Sequence, residues 1–342
     1  MKINFNLFNI NELNPKTDFD RNIISFIKNW LEPTKTASVQ TSGSTGTPKI
    51  FEIEKEKMRN SAKMTCDFLQ LKKEDKALIC LPIEYISGKM MVIRAMEQKM
   101  QLITKEPSTA PLQGLNEKID FCAMTPLQVE NSLEKIHLIK NLIIGGAAVS
   151  ESLKSKIKAN IQNPNSKIYE TYGMSETLSH VALKEIYPKT QDFFTVLDGV
   201  EISTDERGCL KIFAPKLNLE VLQTNDLVEL SGDKQFRFLG RTDNIINSAG
   251  AKIFPEELEN LIKKYISNEV VFLGLKDETL GQKLVLIIEG NESDEILTKI
   301  RNINFEKTFH KPKNIIFTKQ IPRTPNGKVD RENLLDLIVK NH

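Results

Sequence analysis

The sequence predicts an α/β protein, with a large N-terminal domain built on a mostly parallel sheet layered with helices. That domain also carries a small antiparallel β unit, and a small C-terminal α+β domain follows it. Three observations predict this. From position 75 short apolar runs alternate with helical patterns, which is how βαβ units read. Between Val181 and Leu239 the runs are short and separated by turn signals. Around Gly240–Asn244 a polar break opens a fresh α+β pattern, with about 100 residues left to form a domain.

The elements are justified in order. Asp18 can cap a helix whose apolar face holds Phe19, Ile23, Ile27, Trp30 and Leu31, ended by Pro33. The runs TASVQ and IFEIE alternate like strands and flank a glycine-containing loop, so they form a hairpin. ALICLP, MQLIT, DFCAM, NLIIGG and KIYETYG read as strands, with helices over Gly88–Gln98, Pro126–Leu138 and Ser150–Asn160 between them. Asp198-Gly199, Glu206-Arg207-Gly208 and Ser231-Gly232-Asp233 punctuate the antiparallel part. Pro255 sits at a favoured first helical position before EELENLIKKYI, and VVFLGLKD and KLVLIIEG read as strands.

With 342 residues the chain is long enough for two domains, since single cores stop growing at roughly 250–300 residues. Hydrophobic residues at 40% and charged residues at 27% are those of an ordinary globular protein. The 47 basic and 45 acidic side chains nearly cancel, so nothing demands nucleic acid or a lipid surface as partner. Cys66, Cys80, Cys122 and Cys209 are far apart, with no Cys-x-x-Cys pair, which speaks against a disulfide framework or zinc site. No secretory h-region or membrane-length apolar run is present, so a cytoplasmic location is expected.

The densest chemical signal is Thr41-Ser42-Gly43-Ser44-Thr45-Gly46-Thr47-Pro48-Lys49. Five hydroxyls, two glycines and a lysine in nine residues can wrap an anion with backbone and side-chain donors. The ending Thr-Pro-Lys differs from that of a Walker A loop. The bland alternative is a flexible surface turn. YETYGMSET (Tyr169–Thr177) puts an aromatic, a glycine, a hydroxyl and a carboxylate after a strand, where α/β sheets bind ligands. Tyr172 could stack on a base, Ser175 contact phosphate, and Glu176 hold Mg²⁺ among phosphate oxygens. Taken alone it is as readily an ordinary turn, as is GGAAVS (Gly145–Ser150) at another strand end.

In order, TSGSTGTPK, GGAAV, YGMSET, GRTDNIINSAGAKIFPEELE and PRTPNGKVDR resemble the motifs of the adenylate-forming superfamily. That superfamily holds acyl-CoA synthetases, nonribosomal adenylation domains and luciferases, and the likeness runs from Thr41 to Arg331. The resemblance implies an ATP-dependent acid–thiol ligase with ATP and CoA as substrates and Mg²⁺ as cofactor. It implies that Thr41–Lys49 holds the β and γ phosphates, with Lys49 and Glu176 catalytic. Tyr172 would stack on adenine beside Gly145, Gly146 and Ala147, with Gly173 in the same segment and Ser175 at the phosphates. Asp226 would bind the ribose hydroxyls with help from Arg241. Asp243 would be the hinge between an N-terminal domain (1–240) and a mobile C-terminal domain (244–342), with 241–243 linking them. Lys328 would bridge ribose and carboxylate during adenylation, and Gly250 would line the thiol tunnel after the small domain turns. A carboxylate attacking a phosphate brings two anions together, which explains the need for so many cationic and hydrogen-bonding groups. One mobile domain can serve both half-reactions.

The chain departs from the family pattern in places. Only 40 residues precede Thr41, which leads us to expect a trimmed large domain and a subunit interface over the exposed flank, hence a homo-oligomer. Thr224-Asn225-Asp226 replaces Thr-Gly-Asp, and asparagine tolerates left-handed backbone almost as glycine does. Ala251 stands where a glutamate is common.

The acid is read from PIEYISG and the helix after it. Tyr85 and Gly88 fall in a segment that walls the acyl pocket in relatives, and Arg94 lies inside an otherwise apolar helix. In this the chain is similar to the o-succinylbenzoate–CoA ligases of menaquinone synthesis, short members that carry an arginine at this offset for the second carboxylate. An aromatic dicarboxylic acid is therefore the expected substrate. The alternative for Arg94 is an ion pair with Glu97 three residues on, and Lys89 reads as a solvated cation. Rival activities are an enzyme loading a carrier protein, a synthetase for another acid, and a nucleotide-binding regulator without chemistry.

Overall fold

The computed structural model describes residues 1–40, 50–161, 163, 165–323 and 329–341. Strand β1 (Lys2–Asn4) precedes helix α1 (Asp18–Leu31), the strands β2 (Thr36–Gln40) and β3 (Ile50–Glu54), and helix α2 (Lys55–Leu69). Then come β4 (Lys76–Ile79), α3 (Ile86–Glu97), β5 (Gln101–Thr104), β6 (Ile119–Met124), α4 (Pro126–Glu130), β7 (Ile139–Ile144), α5 (Glu151–Asn160) and β8 (Lys167–Gly173). The antiparallel run is β9 (His180–Tyr187), β10 (Phe194–Val196), β11 (Glu201–Thr204), β12 (Cys209–Ala214), β13 (Asn218–Leu230) and β14 (Gln235–Arg241). The remainder is β15 (Ile246–Ser248), β16 (Ala251–Ile253), α6 (Pro255–Ile262), β17 (Val270–Asp277), β18 (Gly281–Glu289), α7 (Asp294–Arg301), β19 (Asn314–Thr318) and α8 (Arg331–Asn341).

Strands β5-β4-β6-β7-β8 run parallel in that spatial order. Alternate side chains enter two cores: Ala77, Phe121 and Ile143 face one, Leu78, Cys122 and Leu142 the other. Burial on both faces is why these strands read as continuous apolar runs. Residues of α1, α2 and α3 cover the first face, and α4 and α5 the second. All four cysteines are buried thiols, and burial pushes Cys66 up to about 12.

The antiparallel strands are not a separate unit. β9 pairs with β8, β10, β14, β13, β12 and β11 continue outward, and β1 pairs antiparallel with β5 at the other edge, giving one sheet of twelve strands among the described residues. A second sheet of five strands, β15 to β19, buries its own two clusters, with Val270 and Phe272 on one side and Val271 and Leu273 on the other. Helices α6 and α7 cover the first side and α8 the second. Among the described residues no helix is long and apolar enough to cross a membrane.

Local details correct three sequence readings. Thr17, not Asp18, caps α1: its hydroxyl accepts from the Asp20 amide, and Asp18 is the first helical residue. The helix expected over Pro126–Leu138 breaks after Glu130 and resumes as a 3₁₀ turn over Leu133–Leu138. Helix α2 had no counterpart in the reading. Its first residue, Lys55, is buried and donates to the carbonyls of Asn29, Trp30 and Glu32 and to the Thr34 hydroxyl. A lysine thereby satisfies the open carbonyls at the end of α1.

Candidate active site

Because β4 to β8 are parallel, their C-terminal ends share one edge of the sheet. The chain reverses its direction of travel between β4 and β6: β5 lies outside β4 on one side, while β7 and β8 lie beyond β6 on the other. Such a switch point leaves a crevice at the strand ends where ligands bind. The segment 81–88 opens after β4 and Thr125 after β6. The Gln128 amide spans the gap, donating to the carbonyls of Cys80 and Ser108 at 3.0 Å each.

Gly145, Gly146 and Ala147 follow β7 on this edge. A Cβ at Gly145 would come 2.7 Å from Thr171 Oγ1, so any larger residue there would force the Thr171 hydroxyl or the loop to move. The carboxylate of Glu170 on β8 is buried, accepts from the Val149 amide at 3.0 Å and pairs with Lys184 at 3.0 Å. It anchors the GGAAV loop, a role the sequence reading missed although a carboxylate inside an apolar strand is a visible signal.

Tyr172 and Gly173 close β8. The Tyr172 hydroxyl donates to Asp226 Oδ2 at 2.5 Å, and Phe236 meets the ring edge-on at 4.9 Å between centroids. Burial and the Asp226 charge raise the Tyr172 hydroxyl far above its ordinary range, so it stays a donor. Asp226 Oδ1 accepts from Arg241 Nη1 at 2.9 Å, because β13 and β14 pair with Asp226 opposite Arg241. Arg241 Nη2 lies 2.6 Å from Asp243 Oδ2, and Asn225 Nδ2 donates to Asp243 Oδ1 at 3.0 Å. Asn225 lies within strand β13 and has no positive φ, so asparagine's tolerance of left-handed backbone is not what preserves this site. Its side chain instead fixes Asp243.

At Gly173 a Cβ would fall 2.4 Å from the Ser179 carbonyl oxygen and 2.5 Å from the His180 Cα. Only glycine lets β9 begin so close. Ser175 and Glu176 sit exposed in the 3₁₀ turn between. The buried Thr177 hydroxyl lies 3.0 Å from the Met174 carbonyl and 2.7 Å from that of Ser179. Leu178 takes φ 65 and ψ −44, and Ser179 N bonds to Thr177 O at 2.7 Å, a γ-turn of the rare positive-φ kind. Holding leucine there costs about 1–3 kcal/mol, strain of a sort that gathers at functional sites.

Tyr85 precedes α3 and bridges to Gln40, the residue before the Thr41–Lys49 loop. At Gly88 a Cβ would lie 2.2 Å from the Pro82 carbonyl oxygen, so only glycine lets α3 pack on the strand end. Lys89 is half-buried rather than solvated: it donates to the Ser38 carbonyl at 2.6 Å, and burial lowers its pKa.

Arg94 is 2% exposed. Its Nη2 donates to Ser179 Oγ at 2.8 Å, and its Nε is buried without a partner among the described residues. The ion pair with Glu97 does not form, because Glu97 pairs with Arg59 at 3.4 Å. No carboxylate among the described residues neutralises Arg94. Burial lowers it to about 10, which leaves it charged at neutral pH. Buried His180 beside it is held neutral, first by desolvation and then by the Arg94 charge. An imidazole kept neutral in the fold but free to protonate at about 6.5 when unfolded costs stability as pH falls through that value. Half-exposed His310, also lowered by burial, acts in the same direction. Thermal melts at pH 7.5 and 5.5 should show a smaller acid loss for His180→Gln than for wild type. Equal losses would remove His180 from the account.

Lys328 and the whole Thr41–Lys49 loop, with Thr41, Ser42, Gly43, Ser44, Thr45, Gly46 and Lys49, lie outside the described residues. The flanking hairpin expected for the loop does form, with Gln40 opposite Ile50. Gly250 takes φ 80 in the exposed turn between β15 and β16, with nothing among the described residues within 4 Å of a Cβ. No group of three His, Cys, Asp or Glu side chains among the described residues could hold a metal alone. Magnesium that arrives on nucleotide phosphates needs only one or two protein carboxylates, and exposed Glu176 at the end of β8 fits that requirement.

The sequence model of the AMP-binding enzyme family matches residues 10–202. The chain belongs to the AMP-binding enzyme family. The acyl-CoA synthetase (AMP-forming)/AMP-acid ligase II-like protein of Dyadobacter fermentans is 33% identical, with TM-score 0.68 and 99% of each chain covered. The 2-succinylbenzoate–CoA ligase of Lactococcus lactis is 27% identical over 321 residues, 86% of this chain and 70% of that protein. An o-succinylbenzoate coenzyme A synthetase from Bacillus subtilis, in complex with ATP and magnesium ion, superposes with TM-score 0.71 over 87% of this chain and 69% of its own. At 20% identity that likeness is of fold. As an AMP-binding enzyme the chain carries Tyr172, Asp226 and Arg241 in one hydrogen-bonded group that joins β8, β13 and β14.

Proposed function

We propose that the protein is an ATP-dependent acid–CoA ligase that activates o-succinylbenzoate. The observation that carries the acid is Arg94: a buried, charged guanidinium whose Nε–H has no partner and which meets no carboxylate among the described residues. Burying an uncompensated charge is expensive, and an anionic substrate group would supply the missing partner. Its planar fork suits a carboxylate. A substrate with two carboxylates can give one to Arg94 and the other to the nucleotide. The relatives named 2-succinylbenzoate–CoA ligase support the same acid.

In the first step the substrate carboxylate oxygen attacks the α-phosphorus of ATP. The bond to the bridging oxygen breaks, diphosphate leaves, and an acyl-adenylate remains. In the second the CoA thiol, losing its proton, attacks the acyl carbon and AMP departs. Asp226 has about four lone-pair sites, of which Tyr172 and Arg241 use two. The others suit the two ribose hydroxyls, with adenine between the Tyr172 ring and the Gly145–Ala147 backbone. Ser175 and Glu176 would meet phosphate oxygens. Mg²⁺, held by Glu176 and the phosphates, would neutralise charge as the two anions approach. Lys49 and its loop would take the β and γ phosphates, Lys328 would join ribose and carboxylate, and Asp243 would let residues 244–342 turn as a domain to bring Gly250 to the thiol.

Exchange of labelled diphosphate into ATP tests the reading, driven by o-succinylbenzoate and by benzoate in parallel. Strong exchange with the first alone is expected, and addition of CoA should yield the thioester. Equal exchange with benzoate would sink the dicarboxylate assignment, and no exchange with any acid would sink the ligase. Lys328→Ala should abolish exchange yet convert preformed acyl-adenylate to thioester, while Gly250→Leu does the reverse. Equal loss of both half-reactions in both folded variants would refute the two-position account.

A further inference from the structure

Behind Arg94 runs a chain of hydrogen bonds whose direction is fixed at its far end. Thr65 Oγ1 on α2 lies 3.1 Å from the Ser61 carbonyl oxygen, which can only accept, so the single Thr65 proton is used there. His180 Nε2 lies 3.1 Å from the same Thr65 oxygen, and with the Thr65 proton on the Ser61 carbonyl it is Nε2 that carries the proton between them. With Nε2 protonated and the ring neutral, Nδ1 is an acceptor, and its neighbour at 3.4 Å is Ser179 Oγ. The Ser179 proton thus turns toward His180, and its lone pairs turn toward Arg94 Nη2 at 2.8 Å. Thr65 and His180 are both buried, and residues of α2, α3 and β9 supply the links.

We propose that Thr65 and His180 are positioning residues of the acid site: through Ser179 they hold Arg94 as an anion receptor with its Nε left free. Were His180 the other tautomer, or charged, Nδ1 would donate to Ser179, leaving the Ser179 proton without its acceptor and its oxygen a weaker acceptor for Arg94 Nη2. Without Thr65 the Nε2–H loses its acceptor. The groups facing the imidazole are Arg94 from α3, Thr65 from α2 and Ser179 from its own segment. None is an acid that would favour a charged ring. The inference rests on Arg94 receiving the second carboxylate.

Nitrogen-15 spectra of the four histidines (His137, His180, His310 and His342) report tautomers independently of any substrate. His180 should be neutral with the proton on Nε2 from pH 6 to 8 in wild type, and should lose that single state in Thr65→Val. In the same preparations Thr65→Val and His180→Leu should raise KM for the dicarboxylate about tenfold, the worth of one hydrogen bond, with kcat and KM for ATP unchanged. Thr65→Ser and His180→Gln, which can carry the same donors and acceptors, should restore it. A charged His180, an Nδ1–H tautomer, or unchanged acid KM in Thr65→Val would overturn the proposal. Should wild type activate no dicarboxylate, the functional reading fails instead, and the tautomer together with the Arg94 Nε–H exchange rate in Thr65→Val still decides the chain.

Discussion

Arg94→Met should make the protein more stable and nearly useless for its dicarboxylate. Methionine matches the length of the arginine stem and removes a buried guanidinium that, among the described residues, has one hydroxyl partner, an orphaned Nε and no counter-charge. Replacing unpaired buried charge with apolar volume commonly stabilises by about 1–4 kcal/mol. The same change takes away the cation for the second carboxylate, costing roughly 2–5 kcal/mol of acid binding, at least thirtyfold in kcat/KM. The variant should also lose its preference for o-succinylbenzoate over benzoate, while KM for ATP stays put. Calorimetric melting and the exchange assay together check this. A lower melting temperature with unaltered acid selectivity would mean Arg94 serves the fold and not the substrate. Opposed effects of this kind are the mark of a residue retained against local stability.

Asp226→Ala should cripple the nucleotide side as selectively. Tyr172 and Arg241 both converge on this carboxylate, which is 7% exposed. Hydrogen bonds to a charged group contribute about 1.5–3 kcal/mol each, so losing two to ribose should raise KM for ATP by roughly a hundredfold or more. Calorimetric titration with AMP should show the same loss, and KM for the acid should hardly move. Tyr172→Phe is the informative control: it keeps the ring and removes only the hydroxyl, and should cost far less. If Asp226→Ala folds and binds AMP like wild type, the ribose assignment is wrong.

Much of the architecture was legible because it depends on local periodicity. KIYETYG and VVFLGLKD coincide with β8 and β17, and TASVQ and IFEIE with β2 and β3. Short apolar runs buried on both faces can only be central strands when helices separate them. Tyr172 is marked by an aromatic beside glycine after a strand, whereas Asp226 and Arg241 are marked only through the family resemblance. Where two local rules competed, the sequence was ambiguous. Thr17 and Asp18 are both good caps, and the choice fell to the residue whose hydroxyl reaches the Asp20 amide.

By itself, then, the amino-acid order determined the α/β class, because that depends on periodicity along a few turns of chain, and it carried the motifs whose family resemblance implies the candidate nucleotide residues. Tertiary structure alone decided that the antiparallel strands extend the parallel sheet, since strand edges find partners by three-dimensional proximity. It also decided the state of Arg94. Three residues away Glu97 offered an ion pair, but the packing of α3 on α2 directs Glu97 to Arg59, while Arg94 meets Ser179, 85 residues distant in the chain. Helical spacing permits a contact at i+3 without requiring it. Which face of a helix is buried, and against what, settles whether a charge finds a neighbour or is left for a substrate.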